Sequence, residues 1–393
     1  MHNCRRGCMP PVIAFGLGGR KMYNQMFRFL EWINRYLPKR DIVLIYSGVE
    51  YKDNAKAMCD YLFARGFDKK CSIYYAEYQR INKEIWVNGN QHLTVHSKIF
   101  AYFMFLFSRY ALYAFNPIKI MPSSSQRVIQ MWHGSPLKKI FNDGIEKKYK
   151  SDYFTYFLSC SKFFNEYYQK SIPCEEERIL LCGQPRNDLL FESIDKPAFL
   201  NDAKLIFWAP TFRKAKYWEQ RDSDFSGMIP FYDGSFDELN ADLESKGVQM
   251  VIKLHPMELC ADVIERHFPC LHIFSHKAFT RLHIDFYSFV GFSDALITDY
   301  SSIAFDFLLL DRPIGYAFTD FASYKTHRGF VLDDPISLMP GNIITDKEKL
   351  LAFFQEISIG KDGYRDKRKQ VNDMVNYYQD ANNRSRVSSI LFG

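Results

Sequence analysis

The stretch Ala295-Leu-Ile-Thr-Asp-Tyr-Ser-Ser-Ile-Ala-Phe-Asp306 is the most informative part of the chain. Its apolar start predicts a buried strand, and its second half, rich in Phe and Leu, predicts a helix. Ser301 and Ser302 fall at the predicted helix start, where free N–H groups and the helix dipole favour an anion. Asp306 follows about one turn later. A phosphate site and an ordinary serine N-cap without a ligand explain this pattern equally well.

Length and composition limit the class of protein. The 393 residues are enough for two α/β domains. A net charge of +6 suits anionic substrates or an anionic membrane surface, and the dispersed Lys and Arg argue against nucleic acid. Nine Cys without CxxC pairs indicate a reducing cytoplasm rather than a disulfide framework. We expect no signal peptide, because the apolar run after the basic N-terminus is too short. We also expect no transmembrane segment, because the apolar run 99–115 is short and contains Arg109.

Residues 20–40 have the periodicity of an amphipathic helix. Its predicted apolar face carries Met22, Met26, Phe29, Ile33 and Leu37. Basic residues lie on the other faces, and a basic helix that also contains a Trp fits an anionic membrane surface. Packing of the same helix against its own domain is the alternative.

Between residues 41 and 182, predicted strands alternate with helices. This alternation predicts a parallel sheet whose ligands bind at the carboxyl ends of the strands. His133 and Gly134 directly follow the strand predicted over 127–132, and glycine allows close backbone approach. Arg186, Asn187 and Asp188 follow the next turn as candidate cleft residues. Alternatively, Asp188 caps a helix and Arg186 pairs with it.

A second αβ series begins at residue 204, after a polar stretch at 192–202 that suits a linker. Thr211 and Arg213 follow its first strand, where a hydroxyl and a guanidinium can bind phosphate oxygens. Lys253 and His255 follow another strand. We also predict a strand over 308–318, a connecting loop at 285–288 and C-terminal helices near 346–358 and 364–392.

Together these motifs resemble the CDP-glycerol glycerophosphotransferase family of teichoic acid and capsule synthesis, over about residues 41–335. The matching segments are Tyr51-Lys-Asp-Asn-Ala-Lys-Ala57, Gln130-Met-Trp-His-Gly-Ser-Pro-Leu-Lys138, Gly183-Gln-Pro-Arg-Asn-Asp188, Ala209-Pro-Thr-Phe-Arg213, Lys253-Leu-His-Pro256 and Thr298-Asp-Tyr-Ser-Ser-Ile-Ala-Phe-Asp306.

The resemblance implies an α/β fold of GT-B architecture, in which two Rossmann-like domains with parallel sheets face each other across a cleft. We expect an N-terminal extension with the basic helix at 1–40, an acceptor domain at 41–192, a CDP-alditol domain at 203–365 and a C-terminal helix at 366–393. The implied enzyme is a phosphotransferase that moves glycerol phosphate from CDP-glycerol to an acceptor hydroxyl and releases CMP.

The resemblance also suggests roles for the candidate residues. His133 would be the general base and His255 would contact the diphosphate, although the reverse assignment is open. The donor would be bound by Thr211, Arg213, Lys253, Asp299, Ser301, Ser302 and Asp306. Gly134, Arg186, Asn187 and Asp188 would line the cleft.

We expect no tightly bound metal or cofactor, with Mg²⁺ stimulation left open. The expected partners are a CDP-alditol, a lipid-linked or polysaccharide acceptor and the cytoplasmic face of the cell membrane as a peripheral site, with no nucleic acid. Three alternatives remain: a CDP-ribitol ribitolphosphotransferase, a GT-B glycosyltransferase that uses a nucleotide sugar, and a noncatalytic binding protein of the same fold.

Overall fold

The structure is a computed structural model that contains two separate β-sheets with helices between their strands. It describes residues 17–48, 50–78, 83–87, 91–139, 153–172, 174–210, 231, 236–254, 268–318, 321–327 and 329–393. All statements about the structure concern these residues.

The first sheet has eight strands in the order β3-β4-β2-β1-β5-β6-β7-β8. Their bounds are β1 Arg40–Ser47, β2 Ser72–Glu77, β3 Lys83–Val87, β4 Gln91–His96, β5 Ser108–Ala114, β6 Arg127–Gln130, β7 Tyr156–Ser159 and β8 Ile179–Leu181. Neighbouring strands pair in parallel except the β3–β4 hairpin at one edge, which sequence analysis did not anticipate. The helices of this half are α1 Leu17–Tyr36, α2 Asp53–Ala64, α3 Lys98–Phe105 and α4 Lys162–Ser171.

The second sheet has six parallel strands in the order β11-β10-β9-β12-β13-β14. Their bounds are β9 Lys204–Ala209, β10 Val248–Lys253, β11 Leu271–Phe274, β12 Ala295–Thr298, β13 Ile314–Ala317 and β14 Asn342–Ile344. The helices are α5 Phe236–Lys246, α6 His276–Thr280, α7 Phe286–Phe292, α8 Ile303–Phe307, α9 Phe321–His327, α10 Lys347–Ile359, α11 Arg365–Val375 and α12 Asn383–Phe392.

Both sheets are buried on two faces, as parallel sheets require. In β1, Val43 and Ile45 belong to one buried apolar cluster, whereas Leu44 and Tyr46 belong to another. Successive side chains of a strand point to opposite faces, so one apolar run fills two layers. This explains why an almost continuous apolar sequence forms β1.

The strand order places the candidate ligand regions at the carboxyl ends of the strands. In the second sheet, successive connections change direction between β9 and β12, and crevices at such points bind ligands in open α/β sheets. Asp299 directly follows β12. In the first sheet the loop after β6 carries His133, so the sequence prediction of where the ligand regions lie agrees with the topology.

Three segments differ from the sequence prediction. Residues 285–288 begin α7 instead of forming a loop, because Asp285 accepts hydrogen bonds from two backbone N–H groups of the first turn. The strand predicted over 308–318 is limited to Ile314–Ala317, because Leu308–Leu310 form a 3-10 helix that ends at Asp311 with a φ of 49°. The helix predicted over 364–392 is divided into α11 and α12, because Asn376 has extended backbone angles.

The last helix, α12, returns to the first half of the protein. Val387 and Leu391 lie in the same buried cluster as Leu112 and Ile129 of the first sheet. Arg127 of β6 donates hydrogen bonds to the carbonyl groups of residues 390 and 391 at 3.1 and 3.3 Å. The C-terminal helix is therefore part of the core of the N-terminal half.

Candidate active site in the interdomain cleft

The loop that carries His133 and two segments beside it contain strained backbone. Asp53, Phe115 and Trp132 have positive φ angles of 62°, 77° and 59°, which residues other than glycine rarely adopt. Asn54 stabilises the loop because its amide donates a hydrogen bond of 3.0 Å to the carbonyl of Trp132. Non-glycine residues in this region cost about 1–3 kcal/mol each and cluster at functional sites. Their convergence marks this strand end as a candidate site.

The imidazole of His133 is held between aromatic rings. It stacks on Phe115 with ring centroids 4.8 Å apart and an interplanar angle of 9°, and its centroid is 4.4 Å from that of Trp132. Its Nδ1 is buried and accepts or donates no hydrogen bond within the described residues. Burial lowers the pKa of His133 to about 4, a shift that Asp53 opposes and Arg186 reinforces. The ring is therefore neutral at pH 7 and can accept a proton.

Gly134 is the point where the two halves of the protein meet beside His133. Its φ is 122°, and a β-carbon at this position would lie 2.7 Å from a guanidinium nitrogen of Arg186 and 2.9 Å from Oγ of Ser302. The carbonyl of Gly134 accepts a hydrogen bond of 3.1 Å from the hydroxyl of Tyr168. Both the left-handed backbone and the close approach of Ser302 require glycine here.

Arg186 connects the two halves by buried ion pairs. Its guanidinium contacts Asp53 of α2 at 2.7 Å and Asp306 of α8 at 2.8 Å, and lies 4.9 Å from the ring of Tyr287. Although burial disfavours the charge, these three groups raise the pKa of Arg186 well above its usual value. Arg186 pairs with Asp53 and Asp306 rather than with Asp188, the partner considered in the sequence analysis.

Asp188 and Asn187 are also buried, but they have different surroundings. The carboxylate of Asp188 accepts hydrogen bonds from the backbone N–H groups of Asn383 and Arg384 at 2.9 and 2.8 Å, so it caps α12. Burial raises the pKa of Asp188, although these hydrogen bonds favour its charged form. Oδ1 of Asn187 is buried without a hydrogen-bond partner within the described residues. The capping alternative for Asp188 is thus the arrangement seen in the structure.

The stretch Asp299–Asp306 differs in detail from the sequence prediction. Ser302 precedes α8, but its backbone is helical and its side chain forms no capping hydrogen bond within the described residues. Asp299 accepts a hydrogen bond of 2.7 Å from the N–H of Tyr300. Asp306, expected to contact substrate hydroxyls, is only 1% exposed and accepts hydrogen bonds from Arg186 and Tyr287. In this structure Asp306 therefore supports the domain interface.

Of the other predicted donor-binding residues, Lys253 is described and lies at the carboxyl end of β10. Thr211, Arg213 and His255 lie outside the described residues. The structure thus brings together His133, Gly134, Arg186 and Ser302, and places Lys253 at the same edge of the second sheet as Asp299.

Asp53, Asn54 and Tyr287 are site residues that the sequence did not predict, although each contacts the group around His133 and Arg186. The signal for the first two was the Tyr51–Ala57 segment, which carried part of the family resemblance. For Tyr287 the sequence contained no comparable signal.

The described residues contain neither a metal-binding cluster nor a membrane-spanning helix. No three His, Cys, Asp or Glu side chains in the described part of the chain converge as a metal site. Among the described helices, none combines the length and the apolar character that crossing a membrane requires. The expectation of no tightly bound metal stays a prediction.

The fold class of the chain follows from its similarity to a solved structure. The wall teichoic acid polymerase TagF superposes with a TM-score of 0.70 at 20% identity, covering 96% of this chain and 98% of that chain. The chain is therefore an α/β protein of GT-B architecture, as predicted.

The family follows from the sequence. The pattern that defines CDP-glycerol:poly(glycerophosphate) glycerophosphotransferases matches residues 26–393, and the chain belongs to this family and is a transferase. A teichoic acid poly(glycerol phosphate) polymerase of Staphylococcus epidermidis is 26% identical over 84% of this chain. The aligned region is only 47% of that polymerase. A teichoic acid glycerol-phosphate transferase of Staphylococcus aureus is 25% identical over 91% of this chain and 94% of its own length. Ribitol-phosphate enzymes are among the further matches.

Proposed function

We propose that this protein transfers glycerol phosphate from CDP-glycerol to a hydroxyl of a teichoic acid or capsule acceptor and releases CMP. The observation that carries the proposal is the neutral imidazole of His133, held at the carboxyl end of β6 next to Gly134, which lies against Ser302 of the other half. A family whose description specifies CDP-glycerol supports the choice of donor.

In the proposed reaction, the acceptor hydroxyl oxygen attacks the β-phosphorus of CDP-glycerol. A new P–O bond forms, the bond between the β-phosphorus and the oxygen of CMP breaks, and the proton of the hydroxyl passes to His133. Phosphoryl transfer depends mainly on positioning and on neutralising the oxygens that carry charge. Lys253, Ser301 and Ser302, together with Thr211, Arg213 and His255, are proposed to supply this on the donor side.

Measuring the released nucleotide tests the reaction class. The full chain is incubated with CDP-glycerol and a glycerol phosphate primer, and we expect CMP, which His133→Ala reduces by about 10²–10⁴-fold. His92→Ala, at an exposed position of β4, is the matched control and should retain full activity. Release of CDP, or of UDP from a UDP-sugar, would instead indicate a glycosyltransferase. Undiminished turnover by His133→Ala would contradict the assignment of the base.

The alditol and the metal requirement are tested in the same assay. If the chain uses CDP-ribitol as well as or better than CDP-glycerol, the ribitol alternative is favoured. Adding EDTA and then Mg²⁺ measures any metal stimulation; we expect turnover to continue in EDTA.

We also propose that the protein binds the cytoplasmic face of the membrane through α1. This helix has two apolar faces: Leu30 and Ile33 are partly covered by the domain, whereas Phe29 and Trp32 are 58% and 57% exposed. The packed face differs from the single face predicted from the sequence, which grouped Met22, Met26, Phe29, Ile33 and Leu37. Exposed aromatic residues on a helix that carries arginines suit an anionic interface.

Flotation with vesicles that contain anionic lipid tests this attachment. Trp32→Ser, especially combined with Phe29→Ser, should move protein to the unbound fraction. Trp86→Ser is the matched control, because Trp86 is 59% exposed on the edge strand β3. Equal flotation of the unmodified chain and of all these variants would reject a membrane role for α1.

A further inference from the structure

A second group of charged side chains lies in the cleft, apart from His133. Lys52 precedes α2, Lys253 ends β10 and His276 begins α6. The Nε2 of His276 is 3.5 Å from a carboxylate oxygen of Glu50, so the loop after β1 contacts the second half of the protein here. Residues from both halves therefore form this group, which we call the Lys52 cluster.

Lys253 carries a positive charge in poorly solvated surroundings. Its Nζ lies 5.0 Å from the ring centroid of Phe286 and 5.9 Å from that of Phe279. No carboxylate within the described residues forms an ion pair with it. Burial, with repulsion from Lys52, lowers the pKa of Lys253 to about 8. A cationic group kept without an acidic partner is typical of an anion site.

His276 is the third basic side chain of the cluster. Burial lowers its pKa, and Lys253 and Lys52 lower it further, whereas Glu50 raises it. Its Nδ1 is buried and has no hydrogen-bond partner within the described residues. Glu50, 63% exposed at its side chain, is the one acidic side chain that acts on His276 among these neighbours. The cluster thus holds more positive than negative charge.

In each sheet, one strand separates the strand that precedes this cluster from the strand that precedes the His133 group. Strand β5 separates β1 from β6, and β9 separates β10 from β12. Two strand spacings correspond to roughly 10 Å. The carboxyl ends of β1 and β10 are therefore separated by about this distance from those of β6 and β12, the strands that precede His133 and Ser302.

We propose that Lys52, Lys253 and His276 together bind a phosphate group of a substrate. Lysine acts on a phosphate as a compact point charge with three donors, and the N–H of a neutral imidazole adds one directed hydrogen bond. The phosphate belongs either to the diphosphate of the donor or to a phosphodiester of the acceptor chain. The identity of these substrates rests on the proposed function.

Equilibrium titration of the full chain tests the site with two probes, CDP-glycerol and a synthetic trimer of glycerol phosphate. Lys52→Gln and His276→Gln should each weaken binding about tenfold for the probe whose phosphate occupies the site. Weaker binding of CDP-glycerol by the variants would show that the site holds the donor diphosphate. Weaker binding of the trimer would show that it holds a phosphodiester of the acceptor. Because a bound anion favours the charged form of Lys253, binding at pH 8 should also take up protons.

Lys204→Gln is the matched control, because Lys204 begins β9 at the opposite edge of the same sheet and pairs with Asp294 at 2.9 Å. It should bind both probes as the unmodified chain does. The site would be overturned if both cluster variants bound both probes with affinities within twofold of the unmodified chain. It would also be overturned if the unmodified chain bound neither probe. A chain that shows the expected losses in binding but releases no CMP would contradict the proposed reaction and leave the site supported.

Discussion

His133 gives the protein a pH dependence whose sign and size can be worked out. Folding lowers the pKa of this side chain from 6.5 to about 4, chiefly by burial. As pH falls below 6.5 the unfolded chain binds a proton that the folded chain does not bind until pH approaches 4. This contribution to stability is therefore complete above pH 6.5 and is lost as pH falls. The loss between pH 7.5 and pH 5 is about 2 kcal/mol.

The assay is urea unfolding of the unmodified chain and of His133→Gln at pH 7.5 and pH 5.0. The unmodified chain should lose about 2 kcal/mol more than the variant over this interval. His92→Gln, at an exposed position, should behave like the unmodified chain within about 0.5 kcal/mol. An equal acid response of the unmodified chain and His133→Gln would refute the inference that burial keeps His133 neutral.

The same pKa predicts the pH profile of catalysis. If His133 is the base, kcat/KM should stay constant down to about pH 5 and fall with a midpoint near pH 4. The negative charge of bound CDP-glycerol favours the imidazolium, so the acid limb of kcat should lie at higher pH than that of kcat/KM. An acid limb of kcat/KM near pH 6.5 would contradict the buried environment in the working enzyme.

Three further predictions concern the domain interface. Arg186→Met should lower the free energy of unfolding by about 3–5 kcal/mol, because Asp53 and Asp306 lose a buried partner; a loss below about 1 kcal/mol in urea unfolding would contradict this. Gly134→Ala should lower the free energy of unfolding by about 1–3 kcal/mol and reduce CMP release, because the new β-carbon would lie too close to Arg186 and the backbone here has a positive φ. Unchanged melting temperature and turnover would show that the loop can move aside. Asp188→Asn should weaken the cap of α12 by about 1 kcal/mol and expose the chain before α12 to limited proteolysis, whereas protection equal to that of the unmodified chain would argue against the cap.

The sequence predicted the elements whose signal is local. Ala295–Thr298 is a strand, as the apolar start of this stretch predicts, because a short apolar run between polar residues has few alternatives. Helix α7 was missed because its residues 286–292 are apolar on nearly every side, and such a helix shows no amphipathic period. Its N-cap Asp285 was the available local signal.

Only those parts of the candidate site that depend on local sequence patterns could be predicted. The positions of His133 and Asp299 follow from strand ends, which a sequence pattern can locate. The partners of Arg186 could not be inferred in this way, because Asp53 and Asp306 are 133 and 120 residues away in sequence. The partner that the sequence suggested, Asp188, is close to Arg186 in sequence but caps α12.

The return of α12 to the first sheet has a consequence for synthesis of the chain. Val387 and Leu391 cover part of an apolar face formed by residues such as Leu112 and Ile129. At ribosomal rates of about 5–20 residues per second, the second half takes roughly 10–40 s to emerge after the first. During that interval the nascent first half presents an uncovered hydrophobic surface, so its maturation depends on Val387 and Leu391, which are translated after the whole of the second sheet.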